Sequence, residues 1–98
     1  MSTFAYLRVS TNNQTVENQR LEIINANYPV DYWYADEGIS GKVCALHRPE
    51  FSKLLDKIRD GETLIVSKID RLGRDAIDVL KTVQILSDRK IKVIVLQL

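Results

Sequence analysis

The sequence predicts a three-layer α/β/α domain built on a mostly parallel sheet of about four to five strands. The first reason is that strand-like and helix-like segments alternate strictly along the chain, which is typical of parallel strands joined by right-handed crossovers. The second is the length, because 98 residues suffice for one apolar core, so we expect residues 1–98 to form one domain. The commonest small strand order of this class, 2-1-3-4, makes the first and third strands neighbours.

The first half of the chain contains two predicted strands and one helix. Residues 3–9 alternate as a strand, and residues 30–35 form an aromatic, strand-like run. A polar turn at 11–15 precedes a helix over 15–27, in which Leu21, Ile24 and Tyr28 recur at helical spacing. A polar loop with flexible glycines then covers 36–48.

The second half begins with a helix whose first residue is Pro49, a position that suits proline because its missing N–H has no helical partner. The apolar stripe of this helix is Phe51, Leu54, Leu55 and Ile58, and Asp60-Gly61 closes it. A strand over 63–68, a helix over 74–88 and a strand over 91–98 complete the chain. The 74–88 helix is apolar over more than half its circumference, which predicts contact with a partner as well as with the sheet.

The composition restricts the chemistry that the chain can perform. Cys44 and His47 are the only residues of their types, so we expect neither an internal disulfide, nor a bound metal, nor another cofactor. No apolar run approaches the length of a membrane span, and we expect a cytoplasmic protein without membrane contact. The formal net charge of +1 is too small for binding nucleic acid by bulk electrostatics, so any DNA contact must be local.

Polar side chains follow two strands that the predicted order makes neighbours. Tyr6, Arg8 and Ser10 point to one side of the first strand, and Ser10 stands at its carboxyl end. An arginine at the edge of a core requires an anionic partner, either a carboxylate or a ligand. The second cluster, "SKIDRLGRD" at 67–75, follows the third strand. Ligands of open α/β sheets bind outside such carboxyl ends, so the two clusters are expected to form one site.

A serine surrounded by arginines suits attack on a phosphodiester. Guanidinium groups match phosphate oxygens in a bidentate way and stay charged near neutral pH. They would stabilise the charge that builds on a transferring phosphoryl group. Taken singly, the motifs have simpler explanations: Ser10 and Thr11 could cap a helix, and the two arginines of "RLGR" could lie in solvent at a helix entry.

With these residues in view, the sequence resembles the serine site-specific recombinases, the family of resolvases and DNA invertases, in their N-terminal catalytic domain. The resemblance covers nearly the whole chain. The motifs that carry it are "YLRVST" at 6–11, "VENQR" at 16–20, "DEGISG" at 36–41, "HRPEF" at 47–51 and "SKIDRLGRD" at 67–75.

The resemblance implies an enzyme that breaks and rejoins DNA, with Ser10 as the nucleophile that forms a 5′-phosphoserine link without ATP. It further implies double-stranded DNA at a recombination site as substrate, a dimer and a synaptic tetramer as working states, and a longer protein of which this chain is a truncated part. In that protein, a long dimerisation helix and a DNA-binding domain follow the catalytic domain. The implied roles are phosphate binding and activation by Arg8, Arg71 and Arg74 and an acid or positioning role for Asp70. Gln19 and Arg48 match further active-site positions of the family, and Tyr6, Gln14 and Lys68 would have supporting roles.

Two other functions stay open at this point. A flavodoxin-like or receiver-like phosphate-binding domain has the same fold class, although the first strand here ends in Arg8 and Ser10 rather than in the acidic residues that bind a cation. A non-catalytic dimerisation module derived from a recombinase would keep the fold and use the apolar 74–88 helix for assembly. Loss of covalent DNA attachment on replacing Ser10 would favour the enzyme.

Overall fold

The computed structural model describes residues 2–9, 16–38 and 42–97. The elements alternate in chain order as predicted. The strands are β1 (Thr3–Val9), β2 (Tyr32–Glu37), β3 (Thr63–Lys68) and β4 (Lys92–Gln97); the helices are α1 (Val16–Asn25), α2 (Pro49–Lys57) and α3 (Ala76–Asp88). Two short 3₁₀ turns, Ala45–His47 and Ile69–Leu72, lie in segments for which the sequence predicted no regular structure. In the described part of the chain, no helix is long and apolar enough to span a bilayer.

The sheet confirms the predicted topology. Its order is β2-β1-β3-β4, and all three pairings are parallel. Strand β2 lies two residues later than predicted, because its pairing with β1 runs from Phe4–Tyr32 to Val9–Glu37 and draws two acidic residues into the strand. Pairing between β1 and β3 ends earlier, at Tyr6–Val66, so the carboxyl end of β1 extends beyond its bonds to β3.

Each face of the sheet packs against helices, which gives the predicted three layers. Even-numbered residues of β1, Phe4 and Tyr6, lie in the larger core with the apolar side chains of α2 and α3. Odd-numbered residues Ala5 and Leu7 lie in the smaller core with Ile23 of α1. The alternation of side chains along β1 therefore follows the strand period, as predicted.

The predicted apolar face of α1 is wrong. Leu21, Ile24 and Tyr28 are 49%, 48% and 39% exposed, whereas the buried residues of this helix are Gln19 and Ile23. A glutamine can occupy the buried face because its amide Nε2 donates a hydrogen bond to the backbone oxygen of Arg8, at 2.9 Å. The helix is thus rotated relative to the orientation that its apolar residues indicated.

Helix α3 begins two residues later than the predicted 74–88 helix and ends at the predicted residue. Asp75 is the N-cap, and its carboxylate accepts a hydrogen bond from the N–H of Asp78 at 2.8 Å, so Arg74 precedes the helix. At the other end, Lys90 has a φ of 59°. Its N–H bonds to the Ser87 oxygen while that of Ile91 bonds to the Leu86 oxygen, the pattern of a Schellman cap with lysine at the position that favours glycine.

Candidate active site

Three arginines come together at the carboxyl edge of the sheet. Arg8 lies near the end of β1, Arg71 in the 3₁₀ turn after β3, and Arg48 at the residue before α2. The pKa of Arg8 is lowered, first by burial and then by the positive charges of Arg71 and Arg48. Neighbouring charges of like sign disfavour one another, so this cluster is a place where an anion would be stabilised.

Arg48 is fully buried, which is unusual for an arginine. Its Nε donates to the backbone oxygen of Val43 at 3.0 Å, and its Nη1 donates to the backbone oxygen of Arg71 at 2.6 Å. Among the described residues, its buried Nη2 has no hydrogen-bond partner. Arg48 therefore links the 42–48 segment to the turn after β3.

Arg71 is also buried, although slightly less completely than Arg48. Its side chain is 9% exposed, and its Nη1 donates to Oδ1 of Asp70 at 3.1 Å, whereas the Asp70 side chain is 68% exposed. Its buried Nε has no hydrogen-bond partner within the described parts of the chain. An ion pair of this exposure is weak, so Asp70 orients the guanidinium group more than it neutralises it.

Asp36, the first residue of the "DEGISG" motif, connects β2 with β1 and α2. It stands near the end of β2, is 3% exposed, and accepts hydrogen bonds from the Tyr6 hydroxyl at 2.8 Å and from the N–H groups of Glu50 and Phe51 at 2.9 and 3.1 Å. It therefore caps the first turn of α2 from a neighbouring strand. Burial and the hydrogen bond to Asp36 both raise the pKa of Tyr6, which keeps its phenol protonated.

Asp78 was not predicted at all. It is 6% exposed, and its carboxylate accepts hydrogen bonds from Ala45 and Arg74 N–H groups and from the Cys44 thiol. The glycine of "RLGR" belongs to this arrangement, since a Cβ on Gly73 would lie 2.5 Å from the Val79 nitrogen. The sequence signals for both aspartates were weak: Asp36 follows the strand predicted over 30–35, and Asp78 stands four residues after an arginine.

The other predicted site residues do not all lie in the arginine cluster. Gln19 reaches the site through the backbone of Arg8, and Lys68 is half-buried at the end of β3. The Arg74 side chain is 54% exposed, with its Nε 3.8 Å from a carboxylate oxygen of Asp75. Arg8, Arg48, Arg71, Asp70 and Tyr6 thus come together, whereas Arg74 contributes its backbone to Asp78. Ser10 and Gln14 lie outside the described residues.

The parallel 2-1-3-4 sheet, with helices on both faces and an arginine cluster at its carboxyl edge, defines the class of the protein as a three-layer α/β domain. The family model "Resolvase, N terminal domain" matches residues 3–98, and the chain belongs to that family.

Individual relatives agree with this membership. The chain is 50% identical over 91 residues to the Tn2501 transposon resolvase of Escherichia coli, covering 92% of this chain and 47% of the relative. It is 45% identical over 91 residues to the serine recombinase PinR of Escherichia coli strain K12, covering 92% and 46%. It is also similar to the crystal structure of the N-terminal catalytic domain of TP901-1 integrase, with a TM-score of 0.79, 30% identity, and coverage of 98% of this chain and 77% of that one. The chain spans about half the length of the curated relatives it matches.

Proposed function

We propose that this chain is the catalytic domain of a serine site-specific DNA recombinase, with Ser10 as the nucleophile. The observation that carries the proposal is the cluster of Arg8, Arg48 and Arg71 at the carboxyl end of β1. Arg8 stands two residues before Ser10 in the sequence. Two buried guanidinium nitrogens, Nη2 of Arg48 and Nε of Arg71, have no partner among the described residues. Buried donors without partners are costly, and phosphate oxygens are acceptors that would satisfy them.

In the proposed reaction, the Ser10 oxygen loses its proton and bonds to the scissile phosphorus. The bond from phosphorus to the 3′ oxygen breaks, and that oxygen takes up a proton and leaves as a hydroxyl, while the 5′ phosphate stays on serine. The arginines neutralise the charge that builds on the phosphoryl oxygens. Asp70 orients Arg71, with which it shares the 3.1 Å contact. The reverse reaction reseals DNA without ATP because the phosphoserine link preserves the phosphoester bond.

The proposed substrate is double-stranded DNA at a recombination site, and the proposed working states are a dimer and a synaptic tetramer. Apolar side chains on the outer face of α3 support self-association, since Ile77 and Leu80 are 67% and 68% exposed. The net charge of +1 agrees with local phosphate contact rather than with strong general DNA binding. We also propose that a dimerisation helix and a DNA-binding domain accompany this domain in the working protein.

Membership of the resolvase family excludes the receiver-like and flavodoxin-like alternative. The non-catalytic assembly module requires an experiment. We would join this chain to the part of the Tn2501 resolvase that it does not match, and incubate the chimera with a nicked suicide substrate carrying that resolvase's site. We expect a covalent protein–DNA adduct that Ser10→Ala abolishes and that Ser87→Ala, at the exposed end of α3, leaves unchanged. A normal adduct with Ser10→Ala would contradict the role of Ser10, and a chimera that binds DNA without forming any adduct would favour the assembly module.

A further inference from the structure

The buried carboxylate of Asp78 joins two segments that both carry arginines. Its Oδ2 accepts hydrogen bonds from the N–H of Ala45 at 3.0 Å and the N–H of Arg74 at 2.9 Å. Its Oδ1 accepts the hydrogen bond of the Cys44 thiol at 3.2 Å. Asp78 is fixed in turn, because its own N–H donates to the Asp75 carboxylate and it lies in the first turn of α3. The contacts of Asp78 with Cys44 and Ala45 span 34 and 33 residues of sequence.

The first of these segments leads directly to Arg48. Ala45 begins a 3₁₀ turn in which the N–H of His47 bonds to the Cys44 oxygen at 2.9 Å and that of Arg48 bonds to the Ala45 oxygen at 3.1 Å. This short turn transmits the position of Ala45 to the Arg48 backbone. On the other side of Arg48, Asp36 holds the start of α2. Arg48 therefore lies between two anchored points, one on Asp78 and one on Asp36.

The second segment is the connection from β3 to α3. Asp78 binds the N–H of Arg74, and Gly73 lies so close that a Cβ there would be 3.0 Å from Oδ2 of Asp78. Arg71 stands two residues before Gly73, and its backbone oxygen accepts the 2.6 Å hydrogen bond from Nη1 of Arg48. The two segments held by Asp78 thus meet again where Arg48 and Arg71 touch.

We propose that Asp78 is a positioning residue that sets the spacing of Arg48 and Arg71 for phosphate binding. The inference rests on the proposed function, which makes those arginines phosphate ligands. An ionised carboxylate suits this role because it accepts all three donors at once and binds them more strongly than a neutral group. Burial by itself would raise the pKa of Asp78, but the N–H groups of Ala45 and Arg74 and the Cys44 thiol lower it, and the net shift is downward. Asp78 would not touch the DNA.

The experiment compares three variants of this chain by NMR. Asp78→Ala removes all three acceptor contacts, whereas Asp78→Asn keeps one oxygen for the two N–H groups. Glu62→Ala is the matched control, because Glu62 also accepts two backbone N–H groups, those of Ser2 and Arg59 at 2.8 and 2.7 Å, but lies beside the amino ends of the strands. For each variant we would measure hydrogen exchange of the Arg48 Nε–H relative to the amide of Ile65 in β3.

In Asp78→Ala, we expect the Arg48 Nε–H to exchange at least about tenfold faster relative to Ile65, since loss of hydrogen bonds to a charged acceptor opens the segment locally. Asp78→Asn should stay within about threefold of the parent chain because it retains an acceptor, and Glu62→Ala should leave the ratio unchanged. An unchanged ratio in Asp78→Ala would overturn the proposal. If both signals accelerated equally, Asp78 would merely stabilise the fold, and if neither accelerated, Asp78 would not hold Arg48 in place.

A second readout tests the consequence for binding. Dimethyl phosphate serves as the phosphodiester probe, and its affinity is followed through the Arg71 and Arg48 side-chain signals. Misplacement of ligands by a fraction of an ångström weakens such sites strongly, so we expect a loss of about tenfold or more in Asp78→Ala and little change in Glu62→Ala. If Asp78→Ala binds the probe as the parent does, the proposal fails. If the parent itself does not bind the probe, the proposed phosphate site is contradicted, whereas the exchange ratio still decides the position of Arg48.

Discussion

Replacing Tyr6 with phenylalanine tests the hydrogen bonds that support the candidate site. The Tyr6 side chain is fully buried, and its hydroxyl donates to Oδ2 of Asp36 at 2.8 Å. Its ring packs edge-on against Phe51 at 4.7 Å between centroids, a contact that phenylalanine keeps. The substitution therefore removes the hydroxyl, with its hydrogen bond to Asp36 and its interaction with the Arg48 guanidinium group. The Asp36 carboxylate keeps the N–H donors of Glu50 and Phe51.

The size of the effect follows from the type of bond. A hydrogen bond to a charged group contributes about 1.5–3 kcal/mol to stability, and we expect the free energy of unfolding of Tyr6→Phe to fall by that amount. In a domain of this size each kcal/mol lowers the melting temperature by roughly 4–8 °C. The loss should stay below that of a cavity-forming substitution, since only one oxygen atom is removed.

Urea denaturation followed by circular dichroism measures this loss directly. Tyr32→Phe is the matched control, because the Tyr32 side chain is 40% exposed, and we expect it to change stability by less than about 0.5 kcal/mol. Repeating Tyr6→Phe in an Asp36→Ala background completes a double-mutant cycle, in which most of the cost should disappear. An equal cost in both backgrounds, or no cost in the parent chain, would refute the account of Asp36 as the acceptor that joins β1 to α2.

Three further predictions concern the site, the end of α3 and acid stability. Arg71→Ala in the Tn2501 chimera should reduce strand cleavage far more than DNA binding, because its proposed role grows in the transition state; equal losses in cleavage and gel-shift assays would contradict that role. Lys90→Gly should raise the free energy of unfolding by about 0.5–1 kcal/mol in urea titrations, since φ of 59° strains any residue with a Cβ, and unchanged or lower stability would argue against the cap. Hydrogen bonds from backbone N–H groups lower the pKa of Glu62 in the folded chain below its ordinary value of 4.5, so its contribution to stability is present above pH 4.5 and is lost as the pH falls through the lower folded value. For Asp78, burial would raise the pKa but its hydrogen bonds lower it, so its contribution is likewise lost in acid. Urea midpoints at pH 6 and pH 3 should therefore differ less in Glu62→Gln than in the parent, and an equal fall in both would contradict this contribution.

The strand order could be predicted because it depends on regular, local signals. Alternation of side chains placed β1 and β3 correctly, and the rule for right-handed crossovers then left few topologies. The limits of β2 could not be predicted as well, since Asp36 and Glu37 are poor strand formers that join the strand only through pairing with β1.

The orientation of α1 could not be predicted from its apolar residues. Periodicity favours burial of Leu21 and Ile24, but the structure buries Gln19, whose amide finds an acceptor on the β1 backbone. Whether a polar side chain can be buried depends on such a long-range partner, and the local sequence does not contain that information.

For the candidate site, too, some contacts could be predicted from the sequence and others could not. The placement of Arg8 and Arg71 near each other followed from neighbouring strands, and the structure confirms it. The resemblance, rather than the pattern, supplied Arg48. Asp36 and Asp78 act across 15 and 33 residues of sequence, on Phe51 and Ala45, and no local periodicity marks such contacts. The structure was therefore needed to identify the carboxylates that hold the site together.

In the proposed function, the arginine cluster presents a phosphodiester to Ser10. The most direct measurement is mass spectrometry of the peptide that remains attached to DNA after the Tn2501 chimera reacts with a suicide substrate and is digested. The account predicts a nucleotide joined through its 5′ phosphate to Ser10, at a yield that Arg71→Ala strongly reduces. Attachment to another residue, or a joined 3′ phosphate, would contradict it.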